Sequence, residues 1–142
     1  MGKGQTMTIV KMPYRAVTRE IEVKVTPRFL ADKSSPENGY FFWAYTITVT
    51  NLGSETVQLK TRHWRITDAS GRLQEVRGDG VVGEQPVLKP RGNFEYTSGV
   101  PLPTPSGFMT GTYGMVTEAG EGFNIDIPAF SLDLPEGQRT IN

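Results

Sequence analysis

Apolar and polar residues alternate along most of this chain, the period-two signature of strands buried on one face. Ile21, Val23 and Val25 alternate with Glu20, Glu22 and Lys24, which predicts a first strand over Thr18–Thr26. Pro27 through Gly39 reads as a loop, because Ser34, Ser35, Pro36 and the Asn38-Gly39 pair are turn formers. Tyr40–Asn51 carries the strongest strand signal. Phe41, Trp43, Tyr45, Ile47 and Val49 share one face, and Thr46, Thr48 and Thr50 the other. Asn51-Leu52-Gly53-Ser54 turns the chain into a strand over Glu55–Asp68, where apolar parity changes between Val57/Leu59 and Trp64/Ile66. A slip of parity inside one strand predicts a β-bulge, near Thr61 to His63.

Asp68-Ala69-Ser70-Gly71 predicts a hairpin with glycine in the left-handed position, and Arg72–Arg77 the return strand. Gly78 to Gly92 reads as a long crossing punctuated by glycine and proline. Asn93–Gly99 is a short strand, stopped by Pro101, Pro103 and Pro105. Phe108–Thr117 alternates again, Glu118 to Gly122 forms another hairpin, and Phe123, Ile125 and Ile127 run back. After Pro128 the apolar residues Phe130, Leu132 and Leu134 take the opposite parity, the behaviour of an edge strand that bends. About seven short antiparallel strands without an intervening helix predict an all-β fold, a fibronectin type III-like or immunoglobulin-like sandwich. Trp43 fits the tryptophan buried in such sandwiches, and the missing cysteine pair favours the fibronectin-like variant. The expected organisation is a flexible N-terminal arm over 1–17, the sandwich domain over 18–135 and a disordered tail over 136–142.

Charge and composition narrow the function. The chain of 142 residues balances 15 basic against 15 acidic side chains, which argues against wide contact with nucleic acid or anionic membrane. Lys3, Lys11, Arg15 and Arg19 make the N-terminal end locally basic, read as a solvated arm rather than a phosphate-binding one. The absence of cysteine excludes disulfides, thiolate metal sites and cysteine nucleophiles. No apolar run is long enough for a membrane span, and Met1 to Met12 lacks the core of a signal peptide. The opening Met-Gly-Lys-Gly-Gln-Thr matches the loose myristoylation pattern, which six mostly free positions match by chance. These features give an expected cytoplasmic location.

Gly78-Asp79-Gly80-Val81-Val82-Gly83 spells the glycine pattern of dinucleotide-binding loops. That chemistry needs a helix next, so that its N-terminus faces the pyrophosphate, and Pro86 and Pro90 oppose one here. The glycines are therefore read first as conformational, with nucleotide or metal–phosphate binding through Gly78 to Gly83 as the alternative function. Val81 and Val82 either plug the end of the sandwich or present an apolar tip, and plugging is preferred. His63, the single histidine, sits among Arg62, Trp64 and Arg65, a cationic neighbourhood unfavourable to a metal. Asp79 and Glu84 flank the glycine loop without the spacing of a cation loop. No serine lies in a nucleophile elbow, so neither a catalytic nor a cofactor site is assigned and no enzyme is expected.

Several motifs resemble one known family. These are Arg62-His63-Trp64, Val76-Arg77-Gly78-Asp79-Gly80-Val81-Val82-Gly83-Glu84-Gln85-Pro86, Phe94-Glu95-Tyr96-Thr97-Ser98-Gly99, Met109-Thr110-Gly111-Thr112-Tyr113 and Ile127-Pro128-Ala129-Phe130. Together they resemble the ApaG family, also called CorD, over nearly all of the chain after Thr18. The resemblance implies a small bacterial protein with a fibronectin-type sandwich, associated with cobalt tolerance and magnesium efflux. It also implies a protein-interaction module, since similar domains in eukaryotic F-box proteins look like such modules. The expected function is a non-enzymatic interaction module linked to divalent cation homeostasis. Its binding surface is Arg62, His63, Trp64, Gly78, Asp79, Gly80, Val81, Val82, Gly83, Glu84 and Pro86. The expected partner is a protein, with no nucleic acid, no membrane insertion and no cofactor. Weak pairing of two copies through an exposed edge strand is the form a dimer would take.

Overall fold

A computed structural model describes residues 13–135, so the first twelve residues of the expected arm and the tail over 136–142 lie outside the described residues. Strand periodicity yields strands throughout: β1 Tyr14–Thr18, β2 Ile21–Phe29, β3 Phe41–Asn51, β4 Val57–Asp68, β5 Leu73–Asp79, β6 Val87–Leu88, β7 Asn93–Leu102, β8 Gly107–Thr117 and β9 Gly122–Leu132. Two single 3₁₀ turns, Ala31–Lys33 and Pro36–Asn38, are the only helical pieces among the described residues, and no helix is long and apolar enough to cross a membrane. All pairing is antiparallel, in a sheet ordered β1-β2-β3-β7 and a sheet ordered β5-β4-β8-β9, with β6 also on β4. Without β1 and β6 the two sheets form the expected fibronectin-like sandwich.

Two of the nine strands among the described residues were not expected at all. Tyr14–Thr18, which falls within the expected arm except for Thr18, pairs with β2 as an edge strand. Its turn is Arg19-Glu20, both at positive φ, and neither residue type announces a turn. The Arg19 guanidinium offsets part of that strain by bonding the Glu121 carboxylate at 3.2 and 3.3 Å and covering the Phe123 ring. Val87–Leu88, inside the expected crossing, is the short β6.

Prolines bound these strands less than expected. β2 continues through Pro27 to Phe29, because β1 pairs only as far as Val25 and asks no amide of Pro27. β7 runs through Pro101 to Leu102 as the edge of its sheet, where a missing donor is tolerated. At Pro128 the expected bend is a bulge: Met109 pairs Phe130 and Gly111 pairs Ile127, so Pro128 and Ala129 oppose Thr110 alone. That extra residue restores Phe130 and Leu132 to the core after Ile125 and Ile127.

The same device occurs in β4. Leu59 pairs Met115 and Thr61 pairs Gly114, leaving Lys60 as the unpaired residue, one position before the predicted window. Val57 and Leu59 point inward before the bulge, and Trp64 and Ile66 after it. The core packs these against Trp43, Tyr45, Ile47 and Val49 of β3, with Tyr45 and Trp64 meeting edge to face across the sheets at 5.4 Å. On one side β1 and β2 close on β9. On the other, β7 and β5 end their sheets, and a cleft opens between those two edges.

Deleting Lys60 should turn either Val57 and Leu59 or Trp64 and Ile66 out of the core. At roughly 1.5–3 kcal/mol per buried side chain, the loss should be about 3–6 kcal/mol, read as a fall in the urea midpoint. Lys60→Ala keeps the register and should stay within about 0.5 kcal/mol of the unaltered protein.

Candidate functional site

The Lys60 bulge sets the direction of Arg62. After it, even-numbered residues of β4 face inward, so Arg62 shares the inner face with Trp64 and Ile66 while His63 faces out. Arg62 is partly buried in the cleft, whose volume is about 330 Å³. Tyr45 and Tyr96 come from the opposite sheet, Trp64 and Ile66 form the floor, and Val76, Val81 and Val82 form the β5 side. Ser98, Gly99, Val100 and Pro101 form the β7 side. The Arg62 Nη1 donates to the main-chain carbonyls of Asp79 and Gly80, each at 2.9 Å. Among the described residues no carboxylate lies within salt-bridge distance of it. The phenols of Tyr45, Tyr96 and Tyr113 are all pushed up, first by burial, and the Arg62 charge opposes that rise at each. Tyr96 and Tyr113 share a hydrogen bond through their hydroxyls.

Each glycine of the expected nucleotide motif has its own structural reason. Gly78 lies flat against Arg62: a Cβ there would sit 2.8–2.9 Å from the guanidinium atoms. Gly80 has φ +64°, and a Cβ would meet the Glu84 carbonyl at 2.3 Å. Val81 and Glu84 exchange main-chain hydrogen bonds at 2.8 Å across a two-residue turn with Val82 at φ +43° and Gly83 at φ +81°. Positive φ at both central residues is the type I′ pattern, and a valine there is strained. The loop interrupts what would be one edge strand: β5 pairs the second half of β4 and β6 the first half. Gly80 donates to Lys60, and Leu59 donates to Pro86 on the other side of the excursion. The amides of Gly80, Val81 and Glu84 are thus bonded to carbonyls, and a strand, not a helix, follows. That geometry lacks the helix N-terminus on which dinucleotide-binding loops rely.

The valine pair divides. Val81 is 1% exposed and plugs the sandwich, as preferred, whereas Val82 is 56% exposed at the mouth of the cleft. Asp79 and Glu84 are exposed, and Pro86 is partly buried. Trp64 is core, packed edge-on against Phe130 at 6.0 Å, with only part of its surface at the cleft floor. His63 leaves the cleft altogether. On the outer face its Nε2 lies 2.8 Å from the Glu75 carboxylate, which the Arg77 guanidinium approaches at 3.4 Å. The local reading of a cationic neighbourhood overlooked Glu75, because strand pairing sets it beside Arg65, diagonal to His63. These bonds, His63 first and Arg77 second, hold the Glu75 carboxyl below the usual glutamate range. Among the described residues no three His, Cys, Asp or Glu side chains gather as a metal site. The expected surface therefore separates into Arg62, Trp64, Val81 and Val82, which line the cleft, Gly78, Asp79 and Gly80, which seat Arg62, and Gly83, Glu84, Pro86 and the outward His63, which do not line it. Tyr45, Tyr96 and Ser98 were missed, although tyrosines at inward parity signal buried hydroxyls that need partners.

The family model described as the ApaG domain matches residues 31–117. The chain is 70% identical over 129 residues to the protein named ApaG of Rhodopseudomonas palustris strain TIE-1, covering 91% of this chain and 99% of that one. The ApaG protein of Bradyrhizobium diazoefficiens is 65% identical with the same coverage. A crystal structure of a Bordetella pertussis protein described as ApaA superposes with a TM-score of 0.81 at 49% identity, covering 88% of this chain and 98% of that one.

Val82→Asn, which tolerates positive φ, should relieve strain and raise stability by about 1 kcal/mol, measured by urea unfolding. Gly80→Ala should cost more than Gly83→Ala, because a Cβ at Gly83 meets nothing within 4 Å. For Glu75 the folded carboxyl releases its proton more readily than the unfolded one. Its contribution is therefore complete above the unfolded glutamate range and is lost as pH falls through the lower folded value. Glu75→Gln should remove that part of the stability rise, seen in urea midpoints recorded across the acidic range.

Proposed function

This chain belongs to the ApaG domain family, and we propose that it is a non-enzymatic protein-interaction module that acts in divalent cation homeostasis in the cytoplasm. Cobalt and magnesium are the ions that the family resemblance implies. The observation that carries the reading is Val82: a β-branched residue held at positive φ, 56% exposed, beside an open cleft. It contributes little to the core, and strain of about 1–3 kcal/mol is retained where surroundings enforce it, commonly at active sites, ligand clamps and switch regions. An apolar residue displayed in this way suits a protein surface better than a solvated ion. The edges of β5 and β7, unpaired among the described residues, offer main-chain donors and acceptors on either side of it. The cation link then runs through the partner protein rather than through an ion held by this chain. Two copies pairing through one of these edges is a further arrangement of the same surface.

The test joins stability to phenotype. In a strain lacking the gene, Val82→Asn should accumulate as a folded, more stable protein and yet fail to restore cobalt tolerance. A photo-crosslinking residue at position 82 should yield discrete protein adducts, whereas one at Thr48, on the outer face of the other sheet, should not. Full restoration of tolerance by Val82→Asn, with no adducts at position 82, would sink the proposal.

A further inference from the structure

Arg62 is the one charged side chain among the described residues lining the cleft, and its hydrogen bonds run through Nη1 to two carbonyls. No acceptor among the described residues engages Nε or Nη2. Half of a planar, permanently charged fork is thus left free in a partly buried space whose walls mix valines with Tyr45, Gln74, Tyr96 and Ser98. Taking the cleft as the binding face proposed above, we infer that it is a receptor for a single carboxylate carried on an apolar body. The charge count favours carboxylate over phosphate, since one cation matches one negative charge and the other walls offer little further charge compensation. The fork geometry favours it too, because a guanidinium edge meets two carboxylate oxygens in one plane. Val76, Val81, Val100 and Ile66 would cover the hydrocarbon body. The cleft volume of about 330 Å³ lies at the small end of ligand sites, roughly 300–1,000 Å³. That admits one side chain or one small acid. The source is an acidic side chain of a partner segment or a free organic acid.

The test uses the full chain, isotopically labelled, with 3-phenylpropionate as probe and 3-phenylpropanamide and phenyl phosphate as comparisons. The acid should move the Arg62 Nε–H resonance and the amides of Gly78 and Gly99, while the neutral amide leaves them in place. Arg62→Gln should weaken binding about tenfold or more, and Arg62→Lys, which keeps the charge but not the fork, should weaken it less. The acid–amide comparison needs no variant, so it decides even if Arg62→Gln unfolds. A second pair of probes, acetyl-Val-Glu-Val-amide and its glutamine counterpart, separates the sources. Tighter binding of the glutamate peptide than of the free acid assigns the carboxylate to a partner segment, and the reverse order assigns it to a small acid. The inference is overturned if neither acid moves these resonances at about 10 mM, which sets Kd above roughly that concentration. It is equally overturned if neutral probes bind as well as acids, or if phenyl phosphate binds more tightly. Failure here with position-82 adducts intact removes the carboxylate receptor and leaves the interaction module standing.

Discussion

The cleft depends on one unpaired residue in one strand. Lys60 has no partner on β8, and that single insertion reverses the inward parity of β4 for the rest of its length. With regular pairing, the parity of Val57 and Leu59 would carry through to Thr61 and His63, and Arg62 would face solvent. The bulge instead sends Arg62 between the sheets and puts Trp64 where Tyr45 and Phe130 can pack on it. It also sets the place where the neighbouring edge strand breaks. The Lys60 carbonyl accepts from Gly80 and from the Gln85 side chain, so the excursion between β5 and β6 is anchored at the bulge. Bulge, loop and inward arginine are one construction.

An arginine facing the inside of a sandwich needs compensation. Stripping water from an ion costs several kcal/mol even after relaxation, and hydrogen bonds to a charged group return about 1.5–3 kcal/mol each. The Asp79 and Gly80 carbonyls supply two such bonds, and the open side of the cleft leaves part of the group in water. A carboxylate within the cleft would have removed the rest of the cost by closing the pair, and none among the described residues is there. The tyrosines deepen the asymmetry. Burial makes each phenol resist ionisation, so Tyr45, Tyr96 and Tyr113 hold their protons and cannot serve as counterions. Among the described residues that charge is left without a counterion.

Much of this architecture was legible in periodicity, since the core rows of β2, β3 and β8 are the alternations read directly from the chain. The bulge in β4 was legible too, because its parity slip has no other cheap explanation, and only its position moved by one residue. β1 was not legible: Arg19-Glu20 makes its turn by a positive-φ conformation that those residues adopt under tertiary enforcement. Strand limits at Pro27 and Pro101 were misread because proline's effect depends on whether a neighbouring strand asks for its amide, which is a property of sheet order. The site was half legible. Arg62 and the group Gly78, Gly80, Val81 and Val82 were named from two stretches of chain, but the facing wall of Tyr45, Tyr96 and Ser98 comes from the other sheet. No local pattern links those residues to Arg62. His63 was grouped with its neighbours although adjacent residues of a strand face opposite ways.

The glycine pattern shows why a motif must be read with the polarity of its backbone. In a dinucleotide-binding loop, glycines bring amide donors against a negatively charged pyrophosphate, and the following helix adds its positive end. Here the glycines do the reverse. Gly78 removes a side chain so that a guanidinium can lie against the strand, and the carbonyls of Asp79 and Gly80 turn their negative ends to it. Three of the loop amides, those of Gly80, Val81 and Glu84, are already bonded to carbonyls of the loop and of Lys60. A loop that solvates a cation is poorly suited to hold an anion directly, yet by seating Arg62 it sets a positive charge at the floor of the cleft. Any anion recognition in this domain would therefore pass through the arginine, with the glycines acting one step behind it.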